Sequence, residues 1–288
     1  MLLYRTLSSF VLWLMFLGLV FSDFVNGAFI LCVIVALIAQ WEFYSMQKKR
    51  GHDVFQKTGI FCGALLFGFY YLHFVMGEGK TDFWIAVELL VILLAILGAI
   101  SRPVFMGDRD KAVVAVALTL LGFFYVPYLF GFILKILFFV PKDLAPDTSQ
   151  GFFQLLYLLA VTKTTDMGAY AAGSLFGHHK MNPTISPKKT WEGFVGGLIV
   201  SLLTSICLTT FIPHHLGFLS GWHAWILGCL LAVIGVIGDL GESLIKRVAD
   251  IKDSGQIIPG IGGALDLIDS LLFTAPVFYC YLLFAFGS

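Results

Sequence analysis

Charge is scarce in this sequence. Asp, Glu, Lys and Arg make up 12% of the 288 residues, about half the usual share of roughly 25% in soluble domains. Hydrophobic residues make up 59%, and the mean hydropathy is +0.91. So little polar surface cannot cover a water-soluble body, and runs such as 85–100 and 198–212 predict that the bilayer is the solvent. A net charge of zero leaves no basic field for nucleic acid. Long polar linkers are absent, which excludes a string of soluble domains. The five cysteines (Cys32, Cys62, Cys207, Cys229 and Cys280) stand singly in apolar runs. With no C-x-x-C pair and no Cys/His ligand spacing, neither a disulfide framework nor a zinc site is expected. Each cysteine reads as a small buried hydrophobe. No A-x-A-like site closes the apolar run that follows Arg5, so that run reads as a retained first helix. There is no internal repeat and no low-complexity tract.

What the chain does have is apolar segments of membrane length. About 20 mainly apolar residues cross a bilayer, which predicts an all-α, polytopic transmembrane helical bundle of about nine spans. They fall near 8–22, 25–46, 57–76, 83–101, 111–140, 151–174, 193–212, 222–248 and 269–286. The fifth is too long for one simple span, and Pro127 is expected to kink it. With the N-terminus on the cytoplasmic side, fourteen of the eighteen basic residues fall at that face: Arg5, Lys48, Lys49, Arg50, Lys57, Arg102, Arg109, Lys111, Lys180, Lys188, Lys189, Lys246, Arg247 and Lys252. Only Lys80 and Lys142 fall in loops opposite, while Lys135 and Lys163 lie within apolar runs. Such sorting is the positive-inside pattern and predicts a cytoplasmic N-terminus; the membrane itself is expected to be a bacterial inner membrane.

Polar chemistry concentrates in the second half. Residues 1–150 read as scaffold helices and 151–288 as the catalytic transmembrane region. T-K-T-T-D at 162–166 places Lys163 and Asp166 three apart on one helical run. Ionisable groups inside a span are functional candidates by default, although a structural pair would also satisfy them. S-P-K-K-T-W-E-G at 186–193 offers Lys188 and Lys189 as point charges for phosphate, and Thr190 as cap of the following helix. An ordinary positive-inside loop explains these lysines equally well.

G-D-L-G-E-S-L-I-K-R at 238–247 carries Asp239, Glu242, Ser243 and Lys246 along one helical stripe. Asp239 ends an apolar run, so its carboxylate needs a cation, and a metal ion would serve directly. Glu242 and Lys246 also have the spacing of a plain helix-surface salt bridge. K-D-S-G at 252–255 and P-G-I-G-G-A-L-D-L-I-D-S at 259–270 follow. Gly260, Gly262 and Gly263 free the backbone to approach a phosphate, and Asp266 and Asp269 share a helix face. With Asp239 they supply enough oxygen ligands for Mg²⁺. A glycine-rich turn whose aspartates cap the last helix is the alternative.

The pattern from Ser243 to Ser270, S-x-x-K-R-x4-K-D-x-G-x3-P-G-x-G-G-x2-D-x2-D-S, resembles the signature of phosphatidate cytidylyltransferases (CDP-diacylglycerol synthases). D-M-G-A-Y at 166–170, F-G at 176–177 and the 186–193 block resemble the family's other blocks, so the resemblance covers about residues 160–270. Ile261 stands where the family commonly has His, and Leu267 where it commonly has Arg, so no histidine base is expected.

The resemblance implies CTP + phosphatidate → CDP-diacylglycerol + pyrophosphate in phospholipid biosynthesis. It implies Mg²⁺, with a second metal ion in some arrangements, and a homodimer. On it, Asp239, Asp266 and Asp269 are expected as metal ligands, and Asp239, Asp266, Lys188 and Lys246 as the catalytic set. Lys189, Arg247, Lys252, Ser243, Gly260, Gly262, Gly263 and Asp166 are expected to bind nucleotide or lipid phosphate or support those that do. Two other readings stand beside it. A CTP-dependent polyprenol kinase would release CDP rather than pyrophosphate. An ion-coupled transporter would use Lys163, Asp166 and Asp239 as an ion path.

Overall fold

Residues 18, 24–75, 81–106, 111–141, 149–251, 254–255 and 262–287 are described by the structure, a computed structural model. Of the expected features, the span over 8–22 (apart from Gly18), Lys252 and Gly260 lie outside these residues. Six helices among the described residues are long and apolar enough to cross a membrane: Val25–Lys49, Phe83–Phe105, Ala112–Leu137, Trp191–Phe211, Trp222–Val248 and Ala264–Phe286. The chain is an all-α integral membrane protein. Two compact units interleave along it. One takes the chain up to Leu134 together with Val248–Leu267; the other takes Lys135–Arg247 and Ile268–Ser288.

The first unit contains α1 (Val25–Lys49), α2 (Gln56–Phe74), α3 (Thr81–Met106), α4 (Ala112–Phe123) and α5 (Leu129–Leu137, of which the last three residues belong to the second unit). Helix α1 stops where Gly51 takes φ +87°: Gly51 N–H returns to Lys48 O and His52 N–H to Gln47 O. The basic Lys48 and Lys49 sit in its last turn, against the negative end of the helix dipole. A π-helical turn, Phe124–Tyr128, joins α4 to α5 around the buried Pro127. Proline has no N–H to give, and the wider turn absorbs the missing bond while the helix runs on to Leu137. Polar side chains stitch these helices together. Gln40 Nε2 donates to Gly59 O at 2.9 Å and Tyr44 OH to Thr119 O at 2.7 Å. Lipid tails are as apolar as leucine, so such bonds and close packing must hold membrane helices together. Leu89, Leu90, Leu93, Leu94, Leu97 and Ile100 of α3 are exposed, as befits a lipid-facing stripe.

The second unit contains α6 (Gln150–Phe176), the strands β1 (Lys180–Asn182) and β2 (Ser186–Thr190), α7 (Trp191–Phe211), the short α8 (Pro213–Leu216), α9 (Trp222–Val248) and α10 (Ala264–Phe286, of which the first turn belongs to the first unit). Strands β1 and β2 form an antiparallel hairpin, with Lys180 opposite Thr190 and Asn182 opposite Ser186. Its turn is set by Asn182 Oδ1, which accepts from Thr184 Oγ1 and Ile185 N. Helices α6 and α7 meet along small residues. A Cβ on Gly168 would lie 2.7 Å from Val200 Cβ, one on Gly193 2.8 Å from Ala169 O, and one on Gly197 2.9 Å from Thr165 O. Hydrogen bonds then tie α6, α7 and α9. Tyr157 OH and Ser205 Oγ are 2.6 Å apart, and Ser205 and Ser201 hydroxyls donate to Ala224 O and Gly228 O, each at 2.7 Å.

The tight α6–α7 seam predicts the effect of Gly197→Val. A side chain there meets backbone, which cannot rotate away, so overpacking should cost about 1–3 kcal/mol. Thermal unfolding in detergent should show a clear fall in midpoint; an unchanged midpoint would mean the seam is looser than described.

Candidate active site

Three carboxylates converge where α9 crosses α10. Gly238 permits the approach: a Cβ on it would lie 3.1 Å from Phe273 Cδ2 and 3.2 Å from Asp269 O. One helical position on, Asp239 joins Glu242 and Asp269, and one oxygen from each lies within 4.8 Å of the others. Asp239 and Asp269 are half-buried and Glu242 is fully buried. Three like charges at this range in an apolar surround demand compensation.

Lysines supply much of it. Lys246 Nζ lies 2.6 Å from Glu242 Oε2, and Lys189 Nζ lies 2.6 Å from Asp239 Oδ2. Lys163 Nζ reaches Ser270 Oγ at 3.5 Å and acts electrostatically on both Asp269 and Asp166. Asp269 Oδ1 accepts from Ser270 N at 2.5 Å and Ser270 Oγ at 3.1 Å. Asp166 also lies in the field of Asp239, Asp269 and Lys189. The network therefore sets four carboxylates, Asp166, Asp239, Glu242 and Asp269, against three ammonium groups, Lys163, Lys189 and Lys246.

The hairpin carries the lysines to the site. Side chains alternate along a strand, so Lys188 stands exposed while Lys189 turns toward Asp239. Thr190 then caps α7, its Oγ1 accepting from Gly193 N at 3.1 Å. Glu192 in the first turn of α7 takes the N–H of His179, and lies 2.6 Å from its Nδ1. At the other end, Arg247 Nε donates to Ile185 O at 3.2 Å, pinning the turn to the end of α9. A cavity of about 280 Å³ opens between these parts, lined among others by Asp166, Tyr170, Lys188, Lys189, Thr190 and Asp239. It combines carboxylates, lysines and a helix N-terminus, which is a setting for a metal-bound polyphosphate.

Several expected site residues therefore meet in one unit: Asp166, Lys188, Lys189, Asp239, Lys246 and Asp269. Ser243 is half-buried on α9. Asp266 belongs to the first unit and has different company. Its carboxylate accepts from Ser254 N–H and hydroxyl at 3.1 and 2.8 Å, and from Gly263 N–H at 2.8 Å. Gly262 beside it takes φ +128°, a conformation that suits glycine. Glu242 was expected only as a salt-bridge partner, and it is one; it is also the most buried member of the carboxylate cluster. The signal was present in the sequence, since a glutamate one helical turn after Asp239 on the same stripe must share its surroundings. A larger cavity of about 580 Å³ in the first unit is bordered by Lys48, His52, Arg102 and Lys111, and by none of the expected site residues.

The burial difference between the two ion pairs yields a stability prediction. Glu242→Gln removes the charge of a fully buried carboxylate 2.6 Å from Lys246 and should cost on the order of 3 kcal/mol. Asp239→Asn affects a pair whose side chains are 22% and 31% exposed, and should cost much less. Unfolding of both variants in detergent checks the order; equal costs would contradict it.

A family model described as "Cytidylyltransferase family" matches residues 3–285. The phosphatidate cytidylyltransferase of Staphylococcus haemolyticus is 32% identical over 273 residues, covering 95% of this chain and 96% of that protein. The protein of that name from Staphylococcus aureus is 31% identical over 282 residues, with the same coverage. That of Staphylococcus saprophyticus is 44% identical over 129 residues, covering 45% of this chain and 48% of that protein.

Proposed function

Given that the chain belongs to the cytidylyltransferase family, we propose that it converts CTP and phosphatidate to CDP-diacylglycerol and pyrophosphate at the site built around Asp239. The observation that carries the reading is the cluster of Asp239, Glu242 and Asp269 with Lys189 and Lys246 in direct contact. The polyprenol kinase and transporter readings are not favoured by this membership.

The donor set fits a hard divalent cation. All three candidate ligands are carboxylates, with one oxygen from each gathered within 4.8 Å. Asp239, Glu242 and Asp269 would hold Mg²⁺, which prefers few carboxylates plus substrate phosphates. When bound, the ion supplies charge neutralisation to the phosphates and to the departing pyrophosphate.

In the reaction, an oxygen of the phosphatidate phosphate forms a bond to the α-phosphorus of CTP. The bond from that phosphorus to the bridging oxygen breaks, and its electron pair leaves with pyrophosphate. A phosphate monoester is largely ionised near neutrality, so the nucleophile needs no base, in keeping with Ile261 in the usual histidine position. What the residues must do is bring two polyanions together and hold them in line. Lys188, exposed beside the cavity, binds a phosphate of the incoming nucleotide. Lys189 and Lys246, already set against Asp239 and Glu242, add positive charge where negative charge develops. Lys163 orients Asp166, which supports the site from behind. Ser243 lines the nucleotide pocket and Arg247 binds phosphate at the end of α9. Lys252, Gly260, Gly262 and Gly263 are read as phosphate-binding residues, and Asp266 holds Ser254 and Gly263 by their N–H groups.

The finer topology belongs to the same reading. Nine spans, a cytoplasmic N-terminus in the inner membrane and a cytoplasmic site place the lysines where CTP is available. Residues 1–150 then form the scaffold and 151–288 carry most of the chemistry, and the protein works as a homodimer.

Purified protein given labelled CTP, phosphatidate and Mg²⁺ should form a CDP-lipid and pyrophosphate. Asp239→Asn should reduce turnover by at least about a hundredfold without loss of folded protein, and EDTA should abolish it. Near-normal rates in Asp239→Asn, or release of CDP, would sink the assignment. For topology, a cysteine introduced at position 188 in a cysteine-free background should react with a membrane-impermeant maleimide in inverted vesicles but not in intact spheroplasts. The opposite labelling would reverse the orientation.

A further inference from the structure

Glu42 on α1 has no part in the chemistry described so far. It is 1% exposed, on a helix long and apolar enough to cross the membrane. A carboxylate so placed is costly unless it is held, and it is a functional candidate for that reason. Its partners lie more than 200 residues later in the chain. Oε2 accepts the Leu265 N–H at 2.9 Å and the Ser254 hydroxyl at 3.4 Å. The first of these satisfies one of the donors left open at the start of α10, so Glu42 caps that helix from outside.

The glycines of this segment are shaped around the same carboxylate. A Cβ on Gly255 would overlap Glu42 Oε1, and one on Gly263 would overlap Oε2. Neither glycine has the positive φ that Gly262 has. Their backbone would accept another residue; the space beside Glu42 would not. Asp266 holds Ser254 and Gly263 as well, so two carboxylates fix one short segment by its amides and its hydroxyl.

We propose that Glu42 is a positioning residue for cytidylyl transfer: it sets the backbone at Ser254, Gly255 and Gly263–Leu265 and thereby the affinity for the triphosphate of CTP. The proposal rests on the reading above that the glycine-rich loop binds phosphate. Glu42 engages the Leu265 N–H and the Ser254 hydroxyl, so these two positions and the glycines beside them are held before a ligand arrives. Groups ordered beforehand lose less entropy on binding.

The test uses the full chain in detergent with two measurements, hydrogen exchange of the Ser254, Gly263 and Leu265 amides and steady-state kinetics with CTP varied. In Glu42→Gln, exchange at Leu265 should quicken about tenfold, and KM for CTP should rise about tenfold with kcat changed less than about threefold. Glu42→Asp, which keeps the charge, should fall between this variant and the native protein. Gly255→Ala should raise KM in the native background, and raise it less when combined with Glu42→Asp, because the shorter side chain makes room. The proposal is overturned if Glu42→Gln leaves both measurements unchanged, or lowers kcat alone. Faster exchange with an unchanged KM would overturn it differently, by showing that Glu42 sets the segment while the segment does not bind CTP. If Glu42→Gln does not accumulate as folded protein, the Gly255→Ala pair decides: equal KM effects in both backgrounds overturn the proposal.

Discussion

A carboxylate carried into an apolar helix bundle must be met by opposite charge or by hydrogen-bond donors, and that constraint organises the polar half of this protein. Glu242 meets it with Lys246, Asp239 with Lys189, and Glu42 with the Leu265 amide and the Ser254 hydroxyl. Each solution needs a second element at close range. The carboxylates thus dictate helix contacts as much as the apolar side chains do, because a lost partner inside the bundle costs far more than one at a wet surface.

Close range is made possible by missing side chains. Gly238 lets α10 reach α9 where three carboxylates meet, and Gly168, Gly193 and Gly197 let α6 lie along α7. Without a hydrophobic force between helices in lipid, such contacts and the serine and tyrosine bonds among α6, α7 and α9 hold the second unit together. Residues that look inert in the sequence are therefore the ones that bring the reactive groups within reach of each other.

Much of this was legible from the order of residues alone. The predicted span at 222–248 coincides with α9, and the span at 25–46 falls inside α1, because long apolar runs have few alternatives in a bilayer. Thr190 was expected to cap the next helix, and it does so through the Gly193 N–H. The hairpin of β1 and β2 was not foreseen, since its short polar strands have no apolar alternation to betray them. Helix α10 begins at Ala264 rather than 269, so Asp266 lies in its first turn and is taken up by local amides. Glu242 was hidden behind an unremarkable i, i+4 spacing with Lys246. Glu42 was overlooked because it belongs to no motif; a single glutamate within an apolar run was the available clue. Contacts between positions more than 200 apart leave no mark in local pattern.

No residue intervenes between the last position of β2, Thr190, and the first of α7, Trp191. The strand that carries Lys188 and Lys189 is therefore an extension of a membrane helix at one end and is fastened to Arg247 at the other. The backbone that carries the two lysines is thus tethered at both ends, as that of a slack loop would not be. Such a strand is a preorganised electrode, its charges set directly against the end of a helix long and apolar enough to cross the membrane. On the proposed reading, a lipid phosphate would have to rise to the level of those lysines to react, which would make the vertical position of the substrate in its leaflet part of its recognition.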